Sequence, residues 1–487
     1  MNRSAVWALV SVMMLAATHA DAADGFVTGE MTFAEGCAGW AAGDLNGDGL
    51  AEVLTVNGSG LVRAYKQQQG VGFDPVPWQE FRLPEDAAAF DLADVNGDGA
   101  LDLVYLTGDR IAWMAGGKDG VTVGEKVLLG GCRLVVGRTQ APSFRDFIRT
   151  GKGLSVPLWL VPVAEGYQIY RLSGQSLVPG RQLRFGAVRN LWPVRDDALG
   201  EVTVQSVYPE VSFADFDGDR RTDALVRQGD AVLLWRDVQS GRQEDPERFE
   251  LSGPEEEKGG TLRVSPGPPV AGDFDGDGVS ELVITPSGGS QVLIYSIKGS
   301  PGKKLQPVTR IKEPGWVTGA VATDIDGDGL DDLLVSTIPE ITIPQAITVL
   351  VTGRLQFEVR LHWGRRWRMP DRKPDFQVSV RTPLVLGFTE ERMILGNLSV
   401  AQFGGDFNGD KVRDMVLGAD GKLSVRYGSR GAFKRKGPEW DFRPDPAEVM
   451  TVRSWADDVN GDARSDLVLL ERGWRGKPDR LKFYLSQ

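Results

Sequence analysis

The chain has 487 residues, of which 41% are apolar and 25% charged, an ordered, globular composition with material for a large core. Two cysteines, Cys37 and Cys132, exclude a disulfide framework and a cysteine zinc cluster. The net charge of −12 is concentrated in recurring loops, and 61 glycines and 27 prolines call for many turns and therefore many short strands.

Residues 1–22 read as a secretory signal. Asn2-Arg3 is a short basic start, 5–17 is an almost unbroken apolar run, and Thr18-His19-Ala20 and Ala20-Asp21-Ala22 are small-x-small cleavage sites. The apolar run is shorter than the ~20 residues that cross a bilayer, and no later stretch reaches that length. The expectation is an exported product, secreted or periplasmic, with no membrane span. Loss of His19 leaves His362 as the one histidine, so a histidine-cluster metal site is excluded and any histidine-based triad would have to use it. Residues 23–487 read as one domain.

A nine-residue phrase recurs seven times, at 44–52, 94–102, 215–223, 273–281, 324–332, 406–414 and 458–466. The first aspartates are separated by 50, 121, 58, 51, 82 and 52 residues. The gap of 121 is read as two units, one with a degraded phrase for which 146–154 is the candidate relic. The gap of 82 is read as one unit with an insertion at about 354–395. Over the 414 residues from Asp44 to Asp458, seven intervals of about 59 residues make eight units.

Each unit has one local pattern. A strand ends in small residues, as in Ala41-Ala42-Gly43 or Val270-Ala271-Gly272, and the phrase follows as a tight loop. Next comes a β-branched or leucine-rich run such as Val53-Leu54-Thr55-Val56, then a third strand such as Leu61-Val62-Arg63-Ala64-Tyr65, then a more polar fourth. Short strands at regular spacing predict an all-β fold, and four strands per unit predict the blades of a single β-propeller, eight in number with seven as the alternative. After Asp458 there is room for two more strands only, whereas residues 26–33 form a spare strand ahead of the first phrase. The N-terminal strand is therefore expected to complete the last blade and close the ring.

The phrase carries oxygen ligands at fixed positions. Position 1 is Asp44, Asp94, Asp215, Asp273, Asp324, Asp406 and Asp458; position 3 is Asn46, Asn96, Asp217, Asp275, Asp326, Asn408 and Asn460. Position 5 is Asp48, Asp98, Asp219, Asp277, Asp328, Asp410 and Asp462; position 9 is Glu52, Asp102, Asp223, Glu281, Asp332, Asp414 and Asp466. Position 7, of variable type, can offer its backbone carbonyl: Leu50, Ala100, Arg221, Val279, Leu330, Val412 and Arg464. Glycine at position 4 permits the sharp turn. Five hard oxygens from nine residues suit Ca2+, which accepts irregular geometry, better than Mg2+, and up to seven ions are expected. An EF-hand is excluded, because position 12 is Thr55, Tyr105, Val226, Ile284, Val335, Leu417 or Leu469 where that loop needs a bidentate glutamate. Position 6 is Arg220, Lys411 and Ala463 in three loops, which are expected to bind more weakly than those with glycine there. Positions 1, 3, 5 and 9 hold 24 acids; without them the charge of −12 becomes +12, and seven calcium ions would bring the whole chain to +2.

These loops, each followed by an apolar strand, resemble the FG-GAP or VCBS-type repeats of the integrin α-subunit propeller and of many secreted bacterial propellers. The resemblance covers nearly all of 23–487 and implies calcium held by positions 1, 3, 5, 7 and 9. The Phe-Gly and Gly-Ala-Pro words that name the repeat are mostly absent, and integrin propellers have seven blades, so integrin ligand machinery is not carried over.

The function expected is that of a binding, adhesion or interaction module whose calcium ions stabilise the blade loops. The segment 354–381 holds eight basic residues, three acids, and Phe357, Trp363, Trp367 and Phe376. Such a mixture can bind an anionic polymer, or it can be a solvated hairpin whose tryptophans pack on the neighbouring blade. Export argues for a polysaccharide or protein ligand and against nucleic acid. The alternative is a calcium-dependent polysaccharide lyase or other carbohydrate-active enzyme, but no local catalytic signature is present, since the paired carboxylates are already assigned to calcium. Cys37 and Cys132 either pair or remain free thiols.

Overall fold

The computed structural model describes residues 25–69, 72–132, 143–144, 147–149, 154, 156–186, 188–193, 202–240, 245–253, 267–286, 289–298, 303–339, 349, 351–383, 385–388, 393–474 and 476–487. Eight antiparallel four-stranded meanders form a ring, each running outward from an innermost strand. Blade 1 is Gly39–Gly43, Glu52–Val56, Leu61–Tyr65 and Gln79–Arg82; blade 2 is Ala89–Ala93, Asp102–Leu106, Arg110–Met114 and Lys126–Gly130. Blade 3 is Ile148–Arg149, Leu158–Val163, Gly166–Ser173 and Ser176–Arg184; blade 4 is Val211–Ala214, Asp223–Gln228, Ala231–Trp235 and Glu247–Leu251. Blade 5 is Val270–Gly272, Glu281–Ile284, Gln291–Tyr295 and Pro307–Lys312; blade 6 is Gly315–Thr323, Asp332–Pro339, Arg354–His362 and Phe376–Pro383. Blade 7 is Val400–Gly405, Asp414–Ala419, Lys422–Ser429 and Ala432–Asp441. Blade 8 takes Val449–Asp457, Asp466–Gly473 and Asp479–Ser486 from the C-terminal end of the chain, and Phe26–Phe33 supplies its outermost strand.

The second strand of a blade is buried on both faces, which is why its sequence is a continuous apolar run. Because side chains alternate, neighbouring residues go to opposite junctions. Val53 packs towards blade 8, while Leu54 and Val56 pack towards blade 2. Eight hydrophobic clusters result, one at each junction between adjacent blades, including the junction of blade 8 with blade 1.

Two boundaries read from spacing are corrected. Residues 354–383 are no insertion: Arg354–His362 and Phe376–Pro383 are the third and fourth strands of blade 6, and the added element is the hairpin Val385–Phe388 with Met393–Gly396. The spacing misled because blade 6 also has an unusually long connection between its second and third strands, ending at Arg354. In blade 3 the innermost strand, Ile148–Arg149, falls within the relic proposed at 146–154, of which 146 and 150–153 lie outside the described residues. Residues 150–157, between the first and second strands of blade 3, contain no acid, so the acids of the phrase are missing there. Cys37 and Cys132 are free thiols, Cys37 buried at the junction of blades 8 and 1 and Cys132 half-buried at that of blades 2 and 3. Among the described residues no helix is long and apolar enough to cross a membrane.

Ring closure rests on Phe26–Phe33, which pairs antiparallel with Asp479–Ser486 from Phe26↔Ser486 to Phe33↔Asp479. Phe26, Val27, Met31 and Phe33 are all buried. Burial of four such side chains contributes on the order of 6–12 kcal/mol, comparable with the whole stability of a typical domain. Deletion of residues 24–34 should therefore leave an open edge and give oligomers or aggregate in size-exclusion chromatography. A monodisperse product with unchanged melting temperature would argue against closure by this strand.

Candidate metal-binding loops

All seven phrases occupy one place in the blade. Position 1 directly follows the innermost strand, and position 9 is the first residue of the second strand in every case. Position 2 is Leu45, Val95, Phe216, Phe274, Ile325, Phe407 or Val459, all 4% exposed or less, and pins the loop into a blade junction. With position 2 buried, its N–H faces inward and donates to the position 9 carboxylate at 2.8–3.4 Å in all seven loops. The other oxygen of position 9 accepts from a backbone N–H at or beyond the end of the third strand in five loops, at 2.6–2.9 Å: Gly116, Asp237, Gly364, Gly428 and Ser486.

The rest of the loop is wound on position 1. Its Oδ1 accepts the position 4 glycine N–H at 2.6–2.8 Å. Its Oδ2 accepts the position 6 N–H at 2.7–3.1 Å. Position 5 Oδ1 accepts the position 7 N–H at 2.8–3.0 Å. This winding forces position 6 into the left-handed region throughout: the four glycines lie at φ of 82–90°, and Arg220, Lys411 and Ala463 at 65°, 68° and 67°. The backbone is therefore the same in the loops that lack glycine; what differs is the steric cost of holding it.

In the three loops with aspartate at position 3, one oxygen each from positions 1, 3 and 9 lies within 4.8 Å of the others: Asp215, Asp217 and Asp223; Asp273, Asp275 and Glu281; Asp324, Asp326 and Asp332. These clusters could hold a metal ion. In the other four loops asparagine replaces one charge, as where Asn46 donates to Glu52 Oε1 at 2.7 Å. Position 5 lies outside the three clusters. The donor set fits a cation on a direct observation, because Asp326 Oδ1 is buried and accepts no hydrogen bond among the described residues. The Asp215 loop differs from the rest. Arg236 Nη1 lies 2.6 Å from Asp217 Oδ2 and 3.7 Å from Asp223 Oδ2, so a guanidinium already answers part of its charge.

Electrostatics follow from burial. Position 9 is 2% exposed or less in every loop. Desolvation pushes Glu52, Asp332, Asp414 and Asp466 up to about 7, Asp223 to about 6 and Glu281 to about 8, against the lowering effect of the N–H donors. Repulsion from the other loop carboxylates adds to the rise, most strongly Asp275 on Glu281.

The loops also touch one another, which their spacing in sequence does not reveal. Position 8 N–H of one loop donates to the carbonyl of position 1 or 2 of the loop in the preceding blade: Leu101 to Asp44 (2.7 Å), Ser280 to Asp215 (2.7 Å), Asp331 to Asp273 (2.9 Å), Arg413 to Ile325 (2.8 Å), Ser465 to Asp406 (2.6 Å) and Ala51 to Val459 (3.2 Å). All seven loops join first and second strands, so they share one face of the propeller, linked there by these hydrogen bonds. The clue available in the sequence was the invariably apolar position 2, which marks a loop folded inward.

The basic segment 354–381 divides in the structure. Trp363 packs at the junction of blades 6 and 7, with its ring centroid 6.3 Å from that of Phe433, and Phe357 and Phe376 pack on the same cluster. Trp367 alone is exposed, at 78%. His362 is fully buried, Nδ1 lying 2.8 Å from the Asp371 carbonyl and Nε2 3.7 Å from Glu313 Oε1, and Arg360 pairs with the same glutamate at 3.2 Å.

Two outcomes follow for the loops. Replacing Lys411 or Ala463 with glycine should stabilise the protein by about 0.5–1 kcal/mol, relief of left-handed strain outweighing the flexibility glycine adds to the unfolded chain. Chemical denaturation would show this, and a destabilised Ala463→Gly would refute the strain account. For the metal-free protein, folding raises the proton affinity of the position 9 carboxyls. Their stabilising contribution is then complete below the ordinary carboxylate range and lost as pH rises through about 6–8. Thermal unfolding in chelator should accordingly show a melting temperature that falls from pH 5 to pH 8; a flat or rising profile would contradict it.

Comparison with known proteins agrees with this architecture. Residues 44–105, 215–284 and 273–335 match the model of an FG-GAP-like repeat. No curated protein is significantly similar in sequence. Crystal structures of BBS1N in complex with ARL6DN, soaked with mercury or with lead, align over 93% of this chain and 92% of theirs, at 11% and 10% identity and TM-scores of 0.39 and 0.38. An Agrocybe aegerita lectin, described as recognising non-reducing terminal N-acetylglucosamine, aligns over 87% of this chain and 81% of its own at 12% identity and a TM-score of 0.34. Likenesses this distant carry no argument about ligands. With its repeated loops and eight four-stranded blades, the chain is a β-propeller that carries FG-GAP-like repeats.

Proposed function

We propose that this protein is an exported calcium-binding propeller that works as a binding or adhesion module, its ions stabilising a rim of loops that presents a ligand. The observation that carries the reading is the clustering of one oxygen each from positions 1, 3 and 9, the last buried, in the loops of blades 4, 5 and 6. Calcium suits it better than magnesium. Carboxylates, amides and a position 7 carbonyl drawn from one short loop provide many hard oxygens, and Mg2+ would demand a stricter octahedron and keep more water. When bound, the ion supplies positive charge. The residues hold it, tie position 9 to the second strand, and pass the constraint to the next blade through the position 8 hydrogen bonds. Wide loop faces on rigid scaffolds are where binding function resides, so a protein or polysaccharide ligand is the expected partner.

Metal analysis and thermal unfolding test the reading together. Calcium should bind at several sites per chain and raise the melting temperature by ~10 °C or more, each site filled at 100 times its Kd adding about 2.7 kcal/mol. Magnesium should do much less. The Asp215 loop should fill last, and Arg236→Gln should tighten it. Equal melting temperatures in calcium, magnesium and chelator would overturn the proposal.

A further inference from the structure

We propose that the turn joining the third and fourth strands of blade 6, residues 363–375, is a binding site for an acidic polysaccharide, with Trp367 as its stacking platform. The inference deepens the binding-module reading by naming the ligand class and the residues.

Three observations converge. First, Trp367 is 78% exposed and its φ is +61°, a left-handed conformation that is an outlier for a bulky residue and persists only where the surroundings impose it. Second, the surroundings do impose it. Arg365 is paired with Asp371 and Asp375, and Arg368 with Asp371. The turn is also docked by its backbone on the Asp273 loop of blade 5: Arg365 N–H donates to the Phe274 carbonyl at 2.9 Å, and Trp367 N–H to the Asp275 carbonyl at 2.7 Å. The indole is thus held outward on a braced frame, on the face that carries the metal-binding loops. Third, the neighbouring cations are left over. Arg366, Arg372 and Lys373 are exposed and form no ion pair among the described residues.

The ligand class follows from what accompanies the indole. A protein partner is met by an apolar cluster ringed with polar groups, whereas here one aromatic ring stands among cations. Single-stranded nucleic acid is gripped by successive aromatic platforms, whereas Phe357, Trp363 and Phe376 of this segment are packed into the blade. One flat face with cations beside it matches a sugar ring bearing carboxylates or sulfates. The Asp273 loop beneath carries four acids, so a bound cation also removes repulsion of a polyanion.

The test uses the full mature chain in calcium, with hyaluronan and heparin oligosaccharides as probes and with neutral malto-oligosaccharides, polyglutamate and oligo(dT) as comparisons, read by calorimetry. Trp367→Gly keeps the left-handed backbone and removes only the platform. The expected result is binding of an acidic oligosaccharide that Trp367→Gly weakens at least ten-fold. Arg366→Ala with Lys373→Ala should weaken it and flatten its salt dependence, with melting temperature and calcium content unchanged. Absence of binding by the unaltered protein, or equal binding by Trp367→Gly, would overturn the assignment. Equally tight binding of oligo(dT) or polyglutamate would overturn the ligand class. Normal calcium uptake with no saccharide bound would sink this inference alone, whereas failure to take up calcium would sink the earlier reading.

Discussion

A carboxylate buried at the start of a β-strand is costly unless donors and a cation answer its charge, and seven of the eight blades are built around one. Position 9 cannot move outward, because the residues after it form the strand that fills two blade junctions. Position 2 cannot move either, because its side chain lies in a junction. The loop between them is therefore closed over the carboxylate, and its remaining oxygens have few directions left in which to point. Local turn chemistry at position 1 completes the enclosure.

The same arrangement spreads from loop to ring. Each second strand sends alternate side chains into both neighbouring junctions, so no blade has a core of its own. Eight junctions divide the apolar surface, and the ring is stable only when all are filled, the last by a strand from the other end of the chain. On the loop face, the position 8 hydrogen bonds repeat that logic in polar form. Blade 3 keeps its strands and junctions but has no acid in the equivalent loop. Apolar packing therefore sustains a blade without the acidic loop.

The basic, aromatic segment shows how fold and binding divide the same residues. Phe357 and Phe376 lie on strands and Trp363 at a strand end, and all three pack against blade 7. Trp367 lies on the turn, where the chain is left-handed and local preference is violated. Four aromatics that look alike in sequence thus have two fates, separated by where one strand stops and the next begins.

The fold was legible in the chain because the phrase occurs seven times, with four of its six spacings between 50 and 58 residues, and because turn-forming and strand-forming residues act over a few positions. Those short-range effects were enough for the all-β class, eight blades and closure by 26–33. They were not enough where partners come from different strands of a blade or from a neighbouring blade. The limits of blade 6 were misplaced because spacing alone does not distinguish a long connection from an added hairpin. Arg236 meets Asp217 across the strands of blade 4, while the hydrogen bonds from one loop to the next and the docking of the Trp367 turn on the Asp273 loop join neighbouring blades. Position along the chain is silent about such contacts, because they exist only once strands have paired and adjacent blades have packed.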